Sequence, residues 1–380
     1  MSLTDAAVDI TVTVREDNTV AVRTVSGRDD TVAKTLTGTS VSSAAPKLLL
    51  SSVYALCPQA HLAAWEAASA RAAAKAMPEN AQRVAAETAA EHLRFLAFDA
   101  PRAVGLKPAH DVRRLGALRT LMTQEFSAVK PDFAKIRAAL TAETEHFITG
   151  PAAGFNALDS IPDFESWITH GQTPAAQLFS ALWEQVPSRG ILTTPALDPH
   201  SPADAETWLT PQFSAQNPTV RGKPRMTGAL TRWKSHPLIA DLDELYCCSV
   251  RTLFVARLIE IIRVLTDWAK TFDFVRAAAV AADTGVALVQ SARGLLTHRV
   301  RLARDLNHVE SVVIAAPTEW NFARHGAAEE ALSKIEFFSE EDYRRQAAWM
   351  LAGIDACVPC RLHFEMPQTN GTTDEVSAHA

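Results

Sequence analysis

The sequence predicts an α+β fold, mainly helical, with small β-sheets at its periphery. Three observations carry this prediction. Apolar residues alternate with polar ones near the N-terminus, an alanine-rich pattern of helical period fills the middle, and the period returns to two between Val286 and Ala315.

At the N-terminus, Ile10, Val12 and Val14 alternate with polar residues, Asp17-Asn18 supplies a turn, and Val20 and Val22 lead on to Val25, which predicts a β-hairpin over residues 8–25. A Ser/Thr-rich connection follows, ending in the apolar run Leu48–Leu50. From Pro58 onward, Leu62, Trp65, Ala68, Ala72 and Ala73 recur at helical spacing, and alanine is the best helix former. Further helices are expected around residues 80–98, 110–125, 131–147 and 174–186. Residues 187–226, rich in Pro, Thr and Ser, read as a long irregular excursion, a length that points to an interaction or lid segment. A helical stretch over about 237–272 carries Cys247 and Cys248 as core-packing residues, while Glu91-His92 and Glu145-His146 read as exposed helix pairs. Val286–Val289, His298–Leu302 and Val309–Ala315 read as strands, and a helix over about 340–353 leads into Asp355-Ala-Cys-Val-Pro-Cys360. Residues 1–365 are expected to form a single domain, and the polar segment 366–380 a disordered tail.

With 380 residues, 47% hydrophobic and 21% charged, the chain can bury a sizeable core. A net charge of −6 with scattered basic residues gives no nucleic-acid footprint. The N-terminus has no basic region followed by an apolar one, and LFVARLIEIIRVL is broken by charges, so a cytoplasmic protein without membrane spans is expected. There is no GxxxxGK[ST], no GxGxxG after a strand, no GxSxG and no HExxH, which sets nucleotide enzymes and serine hydrolases aside.

Five cysteines, an odd number, argue against a disulfide framework. Cys357-Val-Pro-Cys360 puts two thiols on one turn, a spacing that suits a soft metal or a redox pair, and His363 extends it to CxxCxxH. Far upstream, Cys57-Pro-Gln-Ala-His61 holds a third thiol; taken alone, Cys57 reads first as a small core residue.

Five collinear segments change the weight of these cysteines. Ser52-Val-Tyr54-Ala-Leu-Cys57-Pro-Gln-Ala-His61 resembles the R-x-C-G-x-C-x-x-x-H motif of nickel–iron hydrogenase large subunits, and Asp355-Ala-Cys357-Val-Pro-Cys360-Arg-Leu-His363 resembles their D-P-C-x-x-C-x-x-H. Between them, Thr227-Gly-Ala-Leu-Thr-Arg232 is similar to x-G-P-L-A-R, Ala292-Arg293-Gly-Leu-Leu-Thr-His298 to A-P-R-G-x-x-x-H, and Ala316-Pro317-Thr318-Glu-Trp-Asn321 to V-P-T-T-W-N. The ordered set spans residues 52–363. It implies a helical core like that of a large subunit.

The departures from the family pattern bear on function. The second cysteine of each motif bridges iron and nickel in the family, and the first binds nickel alone. The resemblance therefore implies Cys57 and Cys360 as iron ligands and Cys357 as an auxiliary one, with Tyr54 standing where the fourth thiolate would be. Losing one soft ligand makes nickel an unlikely guest. The family's R-G-x-E motif, whose glutamate relays protons, has no acidic residue in the compared stretch Thr35–Ser40, so no enzyme activity is expected. Arg293 and Thr318, beside Pro317, match the positions that donate hydrogen bonds to iron-bound cyanides. His61 and His363 read either as groups that orient thiolates or as satisfied buried histidines.

Together the chain resembles the HupK/HoxV-type hydrogenase expression/formation proteins. That resemblance implies a maturation scaffold that receives, holds and transfers an Fe(CN)2(CO) unit, bound only transiently. Its partners would be the maturation proteins that build the unit and the hydrogenase large subunit precursor. A divergent hydrogenase subunit and a metal-free assembly chaperone are the alternatives.

Overall fold

The computed structural model describes residues 6–150, 158–186, 192–199, 201–209, 213–268 and 274–367. The expected tail lies outside these, apart from its first two residues, as do parts of the 187–226 excursion.

The N-terminal hairpin forms as expected, from β1 (Val8–Val14) and β2 (Val20–Ser26), with Asn18 taking the left-handed conformation in the turn. Four further strands make an antiparallel meander: β3 (Val275–Ala281), β4 (Thr284–Ser291), β5 (Gly294–Leu302) and β6 (Val309–Ala315). β3 is the strand the sequence pattern did not single out. A seventh strand, β7 (Cys360–Glu365), pairs parallel with β1, giving the order β2-β1-β7. This pairing brings the two ends of the chain together and sets Cys360 opposite Val8.

Helices α1 (Thr31–Leu36), α2 (Ala45–Val53), α3 (Pro58–Ala72) and α4 (Ala81–Arg94) follow the hairpin. The run Leu48–Leu50 thus belongs to a helix rather than to a connection. α3 lies across the meander, and its alanines allow an unusually close approach. A Cβ on Gly285 of β4 would fall 2.1 Å from the Ala68 carbonyl oxygen, so only glycine fits there. The other face of the same sheet is also covered. Val286, Leu288 and Leu295 pack with Leu197, Trp208, Leu209 and Trp320, so the described parts of the excursion form an outer layer. Covering both faces explains why β4 reads as an apolar run without alternation.

The expected helix over 237–272 is two helices, Pro237–Tyr246 and Val250–Thr266. They are separated at Cys247, whose φ of 55° breaks the helix and leaves its side chain exposed; Cys248 is half-buried against the core. His92 is not an exposed helix residue either. α4 packs on Val250–Thr266, and His92 is fully buried against Glu260.

Candidate metal-thiol site

Cys57 is the N-cap of α3, and Pro58 is the first residue of the helix, which aims the cysteine back toward the C-terminal strand. The first backbone N–H groups of α3 are satisfied by a distant side chain. Gln59 and Ala60 donate to the Glu87 carboxyl at 2.7 and 2.9 Å. From the other end of the chain, the helix Glu340–Ile354 terminates at Asp355 in a left-handed conformation, and the chain then turns through Cys357 into β7.

Cys57, Cys357 and Tyr54 line one cavity of about 270 Å³, together with Arg28 and Val358. Cys360 borders Cys357 rather than this cavity. Cys357 is therefore the central thiol of the three, electrostatically coupled to both of the others. Burial pushes the Cys57 thiol well above its ordinary value and Cys360 up to about 12. Thr318 holds Cys357 in place: its hydroxyl lies 2.9 Å from Cys357 Sγ and accepts from the Cys357 N–H at 3.1 Å.

Arg293 sits behind the thiols. Its Nη1 is 3.4 Å from Glu91, and its Nε is 3.3 Å from Asp355. Asp355 also takes a hydrogen bond from Arg257 at 2.9 Å. Burial works against the Asp355 charge, but Arg293 and Arg257 hold its carboxyl below the ordinary range. Burial likewise works against Arg293, yet the Asp355 and Glu91 carboxylates raise it above the usual arginine value. The alignment of Nε toward Asp355 is too poor for a hydrogen bond, so this N–H has no acceptor among the described residues.

His61 is buried, stacked on Tyr54 with ring centroids 3.5 Å apart, and its Nδ1 lies 3.1 Å from Nε2 of buried His298. Burial depresses both imidazoles, His298 to about 3, so both are neutral. His363 is not at the site. Burial alternates along β7, turning Cys360, Leu362 and Phe364 inward and His363 outward, where Nε2 lies 3.1 Å from Asp9 at the surface. Pro317 opens the short helix Pro317–Asn321, which presents Thr318 and Glu319 to the site.

The five collinear segments interlock. The Thr227 N–H donates to the Asn321 side chain at 2.8 Å, Asn321 returns a bond to the Thr227 carbonyl at 2.9 Å, and the Leu295 N–H donates to the Thr227 hydroxyl at 2.8 Å. Gly294, at φ 134°, leaves no room for a Cβ, which would fall 2.6 Å from Thr227.

Arg28 and Glu87 carried no motif in the sequence. Arg28 enters from the segment after β2, with its Cζ 5.1 Å from the Tyr54 ring centroid and its Nη1 3.4 Å from buried Glu319. The segment Gly27–Val32, rather than Thr35–Ser40, reaches the cavity. Buried carboxyl groups also stand beside the thiols, from segments other than the compared stretch Thr35–Ser40. They are Glu319 and Glu87, the latter raised by burial to about 8 and thus protonated at neutral pH. The only sequence signal for Glu319 was its departure from the second threonine of V-P-T-T-W-N.

Comparisons with known proteins agree with this architecture. The sequence is 38% identical over 90 residues to the hydrogenase expression/formation protein HoxV of Cupriavidus necator. It is 29% identical over 184 residues to HupV of Azotobacter chroococcum, also a hydrogenase expression/formation protein. Its curated relatives are hydrogenase expression/formation proteins, and its fold is that of nickel–iron hydrogenase large subunits. The matched segments cover 23% and 46% of this chain, and 24% and 48% of those relatives. An NAD+-reducing [NiFe]-hydrogenase in the H2-reduced state superposes with a TM-score of 0.56 at 16% identity, over 94% of this chain and 96% of that one. The reduced Ni-Fe-Se hydrogenase of Desulfovibrio vulgaris Hildenborough gives 0.53 at 16% identity, over 91% and 94%. No protein-family profile matches the sequence. No helix among the described residues is long and apolar enough to cross a membrane.

The large-subunit fold implies nickel and iron, and the side chains fit the two differently. Among the described residues, no three His, Cys, Asp or Glu side chains converge to hold an ion unaided. A nickel ion that draws its whole ligand set from the protein does not fit. An iron that brings its own diatomic ligands needs fewer protein donors, and the unpartnered Arg293 N–H suits an anionic one.

Proposed function

We propose that this chain is a non-enzymatic maturation scaffold for nickel–iron hydrogenase, which receives an Fe(CN)2(CO) unit, holds it and passes it to the large subunit precursor. One observation carries this reading: the buried Arg293 Nε–H, beside Cys57 and Cys357, has no hydrogen-bond acceptor among the described residues. Its nearest acceptor, the Asp355 carboxylate at 3.3 Å, is poorly aligned, so the donor is only weakly satisfied. An iron-bound cyanide is an anionic acceptor that would relieve it through a charge-assisted bond. The names of the relatives support maturation, and the large-subunit fold supports a pocket shaped like the unit's destination.

In this reading, which follows the family pattern, Cys57 and Cys360 supply the iron–sulfur bonds; because Cys360 borders Cys357 and not the cavity that Cys57 lines, it has to turn toward that cavity when iron binds, with Cys357 as the auxiliary thiol. Thr318, whose hydroxyl lies against Cys357 Sγ at 2.9 Å, donates to the second cyanide when it turns. Pro317 places that hydroxyl, and His61 braces Tyr54 at the cavity wall. Burial favours neutral Cys57 and Cys360, so the thiols give up protons when iron binds and recover them when it leaves. Transfer is ligand exchange: each iron–sulfur bond to the scaffold is replaced by one to a recipient thiolate, with no change in oxidation state. The donors would be the cytoplasmic maturation proteins that assemble the unit.

The test is infrared spectroscopy of protein purified anaerobically after co-production with the maturation machinery. Bands of metal-bound carbonyl and cyanide are expected, and Cys57→Ala or Cys360→Ala removes them. Bands that survive both substitutions sink the assignment. Protein free of iron under every expression condition replaces it with a metal-free chaperone, and stoichiometric nickel with hydrogen-dependent dye reduction replaces it with a hydrogenase.

A further inference from the structure

We infer that the Arg28 guanidinium is a built-in cation in the wall of the thiol cavity, and that it keeps divalent nickel away from Cys57 and Cys357. The inference deepens the scaffold reading above, but its geometry stands on the empty protein.

Arg28 lines the thiol cavity together with Tyr54, Cys57 and Cys357. It also lines a second cavity of about 270 Å³, bordered by Tyr54, Glu319 and Phe213–Gln216. The guanidinium thus forms part of the partition between the two spaces. Its side chain is 15% exposed and that of Glu319 is 7% exposed, so their pairing is poorly screened by solvent. Burial opposes the Arg28 charge, but the Glu319 carboxylate at 3.4 Å offsets it, and the group stays a cation.

The residues that hold Arg28 are both departures from the motifs. Tyr54 replaces a cysteine, and its ring lies under the guanidinium at 5.1 Å. Glu319 replaces a threonine, and its carboxylate anchors the guanidinium at 3.4 Å. By the resemblance, Tyr54 stands where a nickel ligand would be, and Tyr54 and Glu319 together hold a positive charge beside that position. A fixed cation in the cavity wall repels a divalent ion, and its salt bridge to Glu319 anchors it from the side of the second cavity. An arginine does this at any working pH, because it does not deprotonate.

The experiment uses the full, iron-free chain, titrated anaerobically with nickel chloride. Sulfur-to-nickel charge-transfer absorbance and equilibrium dialysis are the readouts. The wild type is expected to show no saturable band. Arg28→Lys, which keeps the charge, should behave like the wild type. Arg28→Ala should gain a saturable site, tighter by on the order of a hundred-fold or more, and Cys357→Ala in that background should abolish it. If Arg28→Ala does not give a cooperative melt, Arg28→Met keeps the apolar stem over Tyr54 and carries the same expectation. A wild-type band, an uncharged variant that binds no better than wild type, or a lysine variant as permissive as alanine would each overturn the inference. A wild type that never shows carbonyl and cyanide bands, yet still refuses nickel, defeats the scaffold reading and leaves this inference standing.

Discussion

Glu260→Gln removes the charge on which one of the five interlocked segments depends. Glu260 is fully buried in the helix Val250–Thr266. Its carboxylate takes both Arg232 Nε and Nη2, at 2.6 and 2.5 Å, the His92 Nε2 at 2.6 Å and the Trp233 Nε1 at 3.2 Å. The amide keeps the shape but leaves the Arg232 guanidinium, 8% exposed, without its counter-charge. Breaking a buried pair from one side costs ~3–5 kcal/mol. A second route gives a similar size. Burial alone would raise the carboxyl, but Arg232 and His92 bring it from 4.5 to about 2, a gap equivalent to ~3 kcal/mol. An unfolding entropy of ~2.1 cal/mol/K per residue over 380 residues converts ~3–5 kcal/mol into a fall in Tm of about 4–6 °C. The folded pKa is depressed, so this stabilisation is fully present above the unfolded value of 4.5 and fades as pH falls toward about 2. Thermal melts by circular dichroism at neutral pH and near pH 3 should therefore show a gap between wild type and variant that narrows in acid. Equal melting temperatures at neutral pH, or a gap that widens in acid, would refute the reasoning.

Two further perturbations bear on the site and its frame. Gly285→Val should force α3 off β4, because even the first added carbon would meet the Ala68 carbonyl oxygen; a loss of ~3 kcal/mol or more is expected in urea denaturation. An unchanged midpoint would disprove the close helix–sheet contact. His363→Ala removes only a surface interaction with Asp9, so stability should change by less than ~1 kcal/mol and the carbonyl and cyanide bands should persist. Their loss would return His363 to the site.

Much of the secondary structure was legible because it rests on local periodicity. The hairpin, α3, β4 to β6 and the helix before Asp355 all announce themselves within a few residues. The failures have physical causes. β3 is a run of Val, Arg and Ala whose composition favours helix, and its pairing with β4 overrides that preference. The break at Cys247 depends on a single left-handed residue, which no apolar pattern reveals. His92 sits on a helix that reads as amphipathic, but its face is decided by where Glu260 comes to rest. His363 follows a CxxC at a ligand-like spacing, yet the strand that forms there alternates its side chains and turns it to solvent.

The sequence by itself determined the ordered series of motifs and the three cysteines, because each is a matter of residue type and spacing, and the family resemblance implied the missing fourth at Tyr54. Only the tertiary structure decided which of these groups meet. β7 pairs with β1 across 352 positions of sequence, and this pairing brings Cys357 into the cavity with Cys57 and leaves Cys360 beside it. Arg28 likewise meets Tyr54 and Glu319 only in the folded chain. No local pattern encodes that meeting, since it arises from long-range strand pairing and from the burial of opposite charges that could be satisfied only by one another.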